Sequence, residues 1–525
     1  MRTRKKVKMM YPFWVHTTKM LKSSKSISVE DLHSISEFSD EHCHQKTPKK
    51  APGRTRWYIC AIVTGLLTLL QANVHVYNFT VLCMQEEQAL LTKAQENGSA
   101  NSNTNSTNLA ENFFNYDKLE QDLLFSAAYI APLPSTVILY FLTNRSGVKT
   151  TLMICAVISF LSTFLTPAAT HYGFWFLWTA RFFQGLPAAI LSIVVSIVTS
   201  HWSTLPENGV YVSILAAHYQ IAPLLTMPLS ALMCSVGGWS SVYYTQGAIT
   251  AIFIVLFAIF YTDKPSDNKF VGRAELKAIE SGKSLEEKHV EKSKTPWVAI
   301  HKDTSVWAIW LTSVGGTIGF SIFLQYGPTY LNKVLHYNLS TTGWTAAIPY
   351  IFSCVARIAA QPLSANCSFL GERLAAIVST TISQGTMAIC FLVLMLIPQD
   401  WSSVGQLCYS LVIVANGLNG VGITRSAQLV CKQHLSFVYT ARSFYNFTVG
   451  LLLPILVSFV APNDTHREWT TLFLIIFCIV FVSNLIFIIF ARAEAAPWTV
   501  GTAEIDDRSE NDMEEQKGQK IVEKF

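Results

Sequence analysis

Twelve apolar runs, each long enough to cross a hydrocarbon layer of about 30 Å, set the limits on what this chain can fold into. They lie near residues 57 to 83, 122 to 143, 150 to 169, 173 to 199, 209 to 235, 239 to 262, 305 to 326, 344 to 365, 371 to 397, 403 to 430, 437 to 460 and 469 to 491. Inside a bilayer a backbone must satisfy its own polar groups, so each run is expected to be a helix. Half of the residues are hydrophobic and only 14% are charged, which excludes a soluble globular protein. The expectation is an all-α, multi-pass membrane protein.

A polar, Lys-rich segment divides the runs six and six, which predicts two similar six-helix bundles. The expected organisation is a disordered N-terminal tail over 1–56, bundles over 57–262 and 305–491, a linker over 263–304 and a disordered acidic tail over 492–525. The first tail carries 13 Lys and Arg and the stretch from Asp263 to Asp303 carries nine, whereas the loop 84–121 holds only Lys93 and Lys118. This bias places both termini and the linker in the cytoplasm. The sequons at Asn97, Asn105, Asn338 and Asn463 then face the other side and are glycosylation candidates, while those at Asn144 and Asn366 are cytoplasmic. The net charge of +5 reflects this asymmetry, so nucleic acid is not an expected partner. Eleven cysteines without paired spacing indicate neither a disulfide framework nor a metal site, and no cofactor is expected.

Arg181 stands about 12 Å into the fourth run, counted from Gly173. A cation at that depth costs on the order of 2.5 to 3.5 kcal/mol, so it needs a polar cavity and a partner. An anion site is the first reading, and bonding to carbonyls or hydroxyls of a neighbouring helix is the alternative. The outer half of the first run turns polar, and Gln71, Asn73, His75 and Asn78 recur at near-helical spacing that can share one cavity-lining face. His75, and His218 at mid-depth of the fifth run, titrate in the right range to carry a coupling proton. Arg357 in the eighth run is a further cavity candidate, while Arg425 in the tenth lies close enough to the cytoplasmic face to snorkel. Asp122, Glu207 and Glu372 sit at run ends, so the interior is expected to hold cations without deep acids. A small anionic substrate is the natural partner, although guanidinium suits carboxylate and phosphate alike.

Between the second and third runs, Leu142-Thr-Asn-Arg-Ser-Gly-Val-Lys149 resembles the signature turn of the major facilitator superfamily, which latches helix ends. Leu142, Arg145, Gly147 and Lys149 match, but Asn144 stands where the family has an acid. Asn366 does the same in the equivalent turn of the second half. Arg181, Gln184-Gly-Leu186, Trp202 and Glu207 resemble the fourth span of the solute-carrier family that holds vesicular glutamate transporters, sialin and sodium-phosphate cotransporters. Further matches follow in order, at Met227-Pro-Leu-Ser230, Gly238-Trp-Ser-Ser-Val-Tyr243, Pro328-Thr-Tyr-Leu331, Glu468-Trp469 and Glu494-Ala-Ala-Pro-Trp498.

The resemblance implies a major facilitator fold with twelve helices in two pseudo-symmetric bundles. It also implies secondary active transport of an organic anion or phosphate by alternating access, driven by a proton, sodium or voltage gradient, in the plasma membrane or a vesicle or lysosome membrane. Ala188 and Ser196 replace the fourth-span glutamate and histidine of that family, so the usual coupling groups are absent. The rival expectation is a transporter-like sensor or a passive anion pathway. No nucleophile with its base and no phosphate-binding glycine loop is present, so an enzyme is not expected.

Overall fold

The computed structural model describes residues 53–96, 116–281, 295–366 and 371–499. Both sequons at Asn97 and Asn105, the tail 1–52 and the tail 500–525 lie outside the described residues. Fifteen α-helices and no strand occur among the described residues. In the first half they are α1 (Thr55–Glu96), α2 (Lys118–Ile130), α3 (Pro132–Tyr172), α4 (Phe174–Gly185), α5 (Ala188–Trp202), α6 (Asn208–Ala216) and α7 (His218–Phe260). The linker region contributes α8 (Arg273–Glu280) and α9 (Trp297–Lys302). The second half has α10 (Thr304–Thr329), α11 (Leu339–Asn366), α12 (Glu372–Leu396), α13 (Ser402–Cys431), α14 (Leu435–Val460) and α15 (His466–Phe490).

Nine stretches among the described residues are long and apolar enough to cross a membrane. Two of these, Lys118–Tyr172 and Leu205–Phe260, run for 55 and 56 residues and bend where a helix would leave the layer. The bends fall at Gly147, with φ of +81°, and at Gly237–Gly238, where Gly238 has φ of +71°. Only glycine adopts that left-handed backbone at little cost. Prolines break the run differently: α2 ends at Ile130 just ahead of Pro132, and α4 ends just ahead of Pro187, where the ring removes an N–H from the helical ladder.

Within the first half α1 packs along α7, and α3 along α4 and α7; within the second, α12 packs along α13 and α15, and α10 along α13, α14 and α15. The halves meet chiefly along α7 with α11 and α2 with α14. Lipid offers helices no hydrophobic drive to associate, so close approach through small residues does this. A side chain on Gly343 of α11 would collide with Ala231 and the Met227 carbonyl of α7, and one on Gly450 of α14 would collide with the Tyr129 ring of α2.

The end of the molecule that carries Thr55 and Thr499 differs from the far end. At the far end one continuous apolar core joins the halves, through Tyr77, Phe125, Tyr326, Phe323, Trp469 and Phe473. At the termini end each half keeps its own core, around Leu66, Leu152 and Phe257 in the first and Trp310, Ile423 and Phe487 in the second. The halves are therefore sealed together at the far end and separate toward the termini.

Two sequence expectations change here. Cys83 of α1 and Cys234 of α7 form a disulfide at the far end, although no cysteine spacing announced it. Their sequence separation of 151 explains why, since only the packing of α1 on α7 brings them together. Peptide mapping should recover these two cysteines linked unless the protein is reduced, and a Cys83→Ser variant should be less stable by about 2 to 4 kcal/mol, read as a lower thermal midpoint. The C-terminal expectation of disorder from 492 onward also fails for 492–499. Ala496 donates its N–H to the Val430 carbonyl at 3.1 Å, and the Trp498 indole donates to Asp303 at 3.0 Å, docking this segment on the end of the second half.

Candidate functional site

Arg181 projects from α4, seven residues past its start, which places it about 10 Å along the helix from the far end. It is 1% exposed. Its Nε donates to the Leu124 carbonyl of α2 at 3.3 Å, and Nη1 donates to the Val74 carbonyl of α1 at 3.0 Å and to Gln184 Oε1 at 2.6 Å. Gln184 is itself held by donating to Thr166 Oγ1 of α3 at 2.8 Å. The side chain takes the second of the two roles open to it in the sequence, since half of the guanidinium ties three helices together. Nη2 makes no hydrogen bond among the described residues, and none of their ion pairs involves Arg181. That leaves one edge with two donors and an uncompensated positive charge.

Aromatic side chains surround this edge. The guanidinium carbon lies 4.9 Å from the centre of the Tyr77 ring, a cation–π contact, and Tyr129 and Tyr243 stand within range of its charge. Gln71 and His75 pair at 2.8 Å, and Asn78 lies 3.5 Å from the other ring nitrogen of His75 while donating to the Leu324 carbonyl of α10 at 3.0 Å. These three share a face, being four and three residues apart. Asn73 does not join them. Two residues from Gln71 it points about 200° away, and its amide donates to Ser159 of α3 at 3.0 Å inside the first half.

Asp122 lies at a run end, as the sequence indicates, but it is enclosed rather than open. It sits four residues into α2 and is 1% exposed, enclosed where the two halves meet. Tyr326 of α10 donates its hydroxyl to Asp122 Oδ1 at 2.8 Å, and Asp122 Oδ2 is buried without a partner. Lys118 pairs with Asp464 across the halves at 2.8 Å and holds its ammonium 5.8 Å from the Tyr326 ring centre. Ser126 adds a further cross-half bond to the Leu451 carbonyl at 3.0 Å. From this latch a chain of rings leads back to Arg181: Tyr326 to Phe125 at 4.7 Å, Phe125 to Tyr77 at 4.9 Å, then Tyr77 to the guanidinium.

His218 and His75, both read in the sequence as proton carriers, lie near different arginines. His75 feels the charge of Arg181, whereas His218 lies near Arg357. The His218 Nδ1 faces the Leu215 carbonyl at 2.7 Å, so that nitrogen carries a proton and donates it. Arg357 of α11 stands near a cation that the sequence reading passed over, Arg442 of α14. Arg442 was legible by the criterion applied to Arg181, a guanidinium five residues into the run that begins at 437. Arg425, in contrast, makes a two-pronged pair with Glu372, with Nε at 2.5 Å from one carboxylate oxygen and Nη2 at 2.7 Å from the other.

The signature turn lies at the termini end. Asn144 and Arg145 are exposed. The Lys149 backbone N–H donates to Asp263 Oδ1 at 2.8 Å, and a side chain on Gly147 would strike the same carboxylate. Asp263, from just beyond α7, thus sits beside the turn in which Asn144 replaces an acid. Asn366 closes α11. Asn338 and Asn463 are both exposed at the far end.

The family model described as Major Facilitator Superfamily matches residues 62–456. The chain belongs to that superfamily: it is an integral membrane transporter, not an enzyme. Within it the chain is similar to an slc-17 transporter, to sialin and to sodium-dependent phosphate transport proteins. It is 25% identical over 448 residues to an uncharacterized transporter, slc-17.2, of Caenorhabditis elegans, covering 81% of this chain and 89% of that protein. Sialin of Ovis aries is 24% identical over 69% of this chain and 73% of its own length. Sodium-dependent phosphate transport protein 1 of Mus musculus is 21% identical over 87% of this chain and 98% of its own length. Among solved structures, a D-xylose-proton symporter superposes with a TM-score of 0.60 at 14% identity, covering 83% of this chain and 98% of that one.

Proposed function

We propose that this transporter moves a small anion, an organic anion or phosphate, by alternating access, with Arg181 as the contact that reads its charge. The observation that carries the reading is the free Nη2 edge of a buried guanidinium that no acid compensates. A carboxylate or phosphate oxygen accepts from such an edge in a charge-assisted bond, and the Tyr77, Tyr129 and Tyr243 rings give the ligand apolar walls. The names of the relatives, sialin and the phosphate transport proteins, agree with an anion. Gln71, His75, Arg357 and His218 border the route, and Asn73 holds α1 to α3 behind it.

In this reading the structure is the state closed at the far end. Rocking apart along α7–α11 and α2–α14 opens that end once the Asp122–Tyr326 and Lys118–Asp464 contacts break. The ring chain gives anion occupancy at Arg181 a direct packing route to that latch. Coupling to a proton or sodium falls to Asp122, the fully buried acid within the described spans, because Ala188 and Ser196 cannot supply it. The termini, the linker 263–304 and the Gly147 turn then face the cytoplasm, in twelve crossings. Charge bias, a disulfide on the opposite side and exposed sequons there support this orientation.

Counterflow tests the reading: vesicles preloaded with one anion of a panel should accelerate uptake of the same labelled anion, saturably. Equal acceleration by neutral solutes would defeat it, and uptake that never exceeds equilibrium would favour the passive pathway or sensor suggested by Ala188 and Ser196. For topology, Asn338→Gln and Asn463→Gln should each remove one glycan's mass on a gel. A mobility unchanged by either would contradict the assigned orientation.

A further inference from the structure

We propose that Arg357 and Arg442 form a second anion station, nearer the termini end than Arg181, built for a doubly charged oxyanion. Depth along four helices puts its parts in one layer. Arg357 is nine residues from the end of α11, about 13 Å, and Arg442 is seven residues into α14, about 10 Å. Ser313 is nine residues into α10, about 13 Å, and His218 opens α7 ten residues beyond the start of α6, about 15 Å. The helices that carry these groups include α7 and α11, one of the two pairs along which the halves meet.

The charges in this layer are unbalanced. Arg442 Nε donates to Ser313 Oγ at 2.6 Å, so the hydroxyl aims the guanidinium but cannot neutralise it. Arg357 makes no hydrogen bond among the described residues, and its Nε is buried without an acceptor. Neither arginine belongs to an ion pair among the described residues. Each lies in the field of the other, and Tyr219 lies in the field of both. Two like charges inside a membrane protein each carry an insertion cost on the order of 2.5 to 3.5 kcal/mol, and their mutual repulsion adds to it.

A single dianion between them offsets both charges at once, and two planar forks match the oxygens of a phosphate or a dicarboxylate. Access is available, because both arginines are half-buried and Tyr219 is 38% exposed, in the region where the cores of the two halves have separated. His218 Nε2 adds a buried ring nitrogen without a partner beside Arg357. Arg181 offers one free edge and suits one charge; this layer offers two guanidinium groups. The proposal rests on the anion-carrier reading only for its place on the route, since binding here can be measured without transport.

The test uses the full chain in lipid nanodiscs, titrated with inorganic phosphate at a pH where the dianion predominates, with chloride as the control at equal ionic strength. The expected result is a saturable rise in thermal midpoint with phosphate that chloride does not reproduce. Arg357→Gln and Arg442→Gln should each weaken the apparent phosphate affinity at least tenfold, while Arg425→Ala, which removes a guanidinium paired with Glu372 outside this layer, keeps the phosphate response. If either arginine variant does not fold, Ser313→Ala leaves both charges in place and should still weaken phosphate severalfold by releasing Arg442. An equal response to chloride, or none to phosphate, overturns the proposal. A phosphate response lost in Arg181→Gln but intact in the Arg357 and Arg442 variants also overturns it, while leaving the carrier reading standing.

Discussion

Arg181→Gln is expected to lower saturable anion uptake at least a hundredfold, with the protein still inserted and monodisperse. The substitution removes a buried charge whose Nη2 edge has no partner among the described residues, so the ligand loses its charge-assisted bonds. A charge-assisted hydrogen bond contributes roughly 1.5 to 3 kcal/mol, and a hundredfold loss corresponds to about 2.7 kcal/mol, within reach of one or two such bonds. Some stability will also be lost, because the Val74 and Leu124 carbonyls each give up a donor. Arg181→Lys separates the two effects: it keeps a charge but cannot bond both carbonyls and still present a second edge, so uptake should fall less than in the glutamine variant. Arg425→Ala is the control. Its pair with Glu372 is solvent-exposed, where such pairs contribute little, so uptake should change by less than a factor of about three.

The second large effect concerns the far-end latch. The double variant Lys118→Ala, Tyr326→Phe removes the ion pair to Asp464 and the one hydrogen bond that Asp122 receives from the other half. Tyr326→Phe alone preserves the ring stacked on Phe125 and leaves Asp122 buried with neither oxygen bonded. A buried acceptor left unsatisfied costs about 1 to 3 kcal/mol, and that cost falls on the closed state alone, since opening hydrates the carboxylate. The population should therefore move toward far-end opening by about tenfold or more. Amide hydrogen exchange reads this: segments 118–126 and 322–334 should exchange faster, with little change over 146–156 at the termini end. Unchanged exchange at 118–126 would show that the latch does not hold the halves together.

Much of the fold was legible because a bilayer dictates it. A run of twenty apolar residues has one helical solution, and the polar segment between the sixth and seventh runs falls between α7 and α10. Bends were less legible. Pro223 and Pro454 lie within helical backbone, while the reorientations occur at Gly147 and Gly238, where φ is positive. The site was legible at the level of depth, which singled out Arg181 and Arg357, but depth is silent about which way a residue faces. Asn73 looked like a partner of His75 and faces the opposite side of α1. Asp122 was legible as a run-end acid, but not that the other half encloses it. His75 and His218 looked like one pair and attend different arginines. The Cys83–Cys234 bond depends on contacts 151 residues apart, which no spacing rule reads.

The central claim, that this is an anion carrier whose mid-membrane arginine reads its cargo, is tested most directly by net uptake into proteoliposomes of the purified full chain. Labelled phosphate and a small carboxylate would be offered under imposed proton, sodium and voltage gradients, for the native sequence and Arg181→Gln side by side. The account predicts saturable accumulation of at least one anion above equilibrium under one of these gradients, and its loss in the variant. Accumulation that is equal in the two proteins would contradict it, as would a native protein that accumulates neither anion under any gradient.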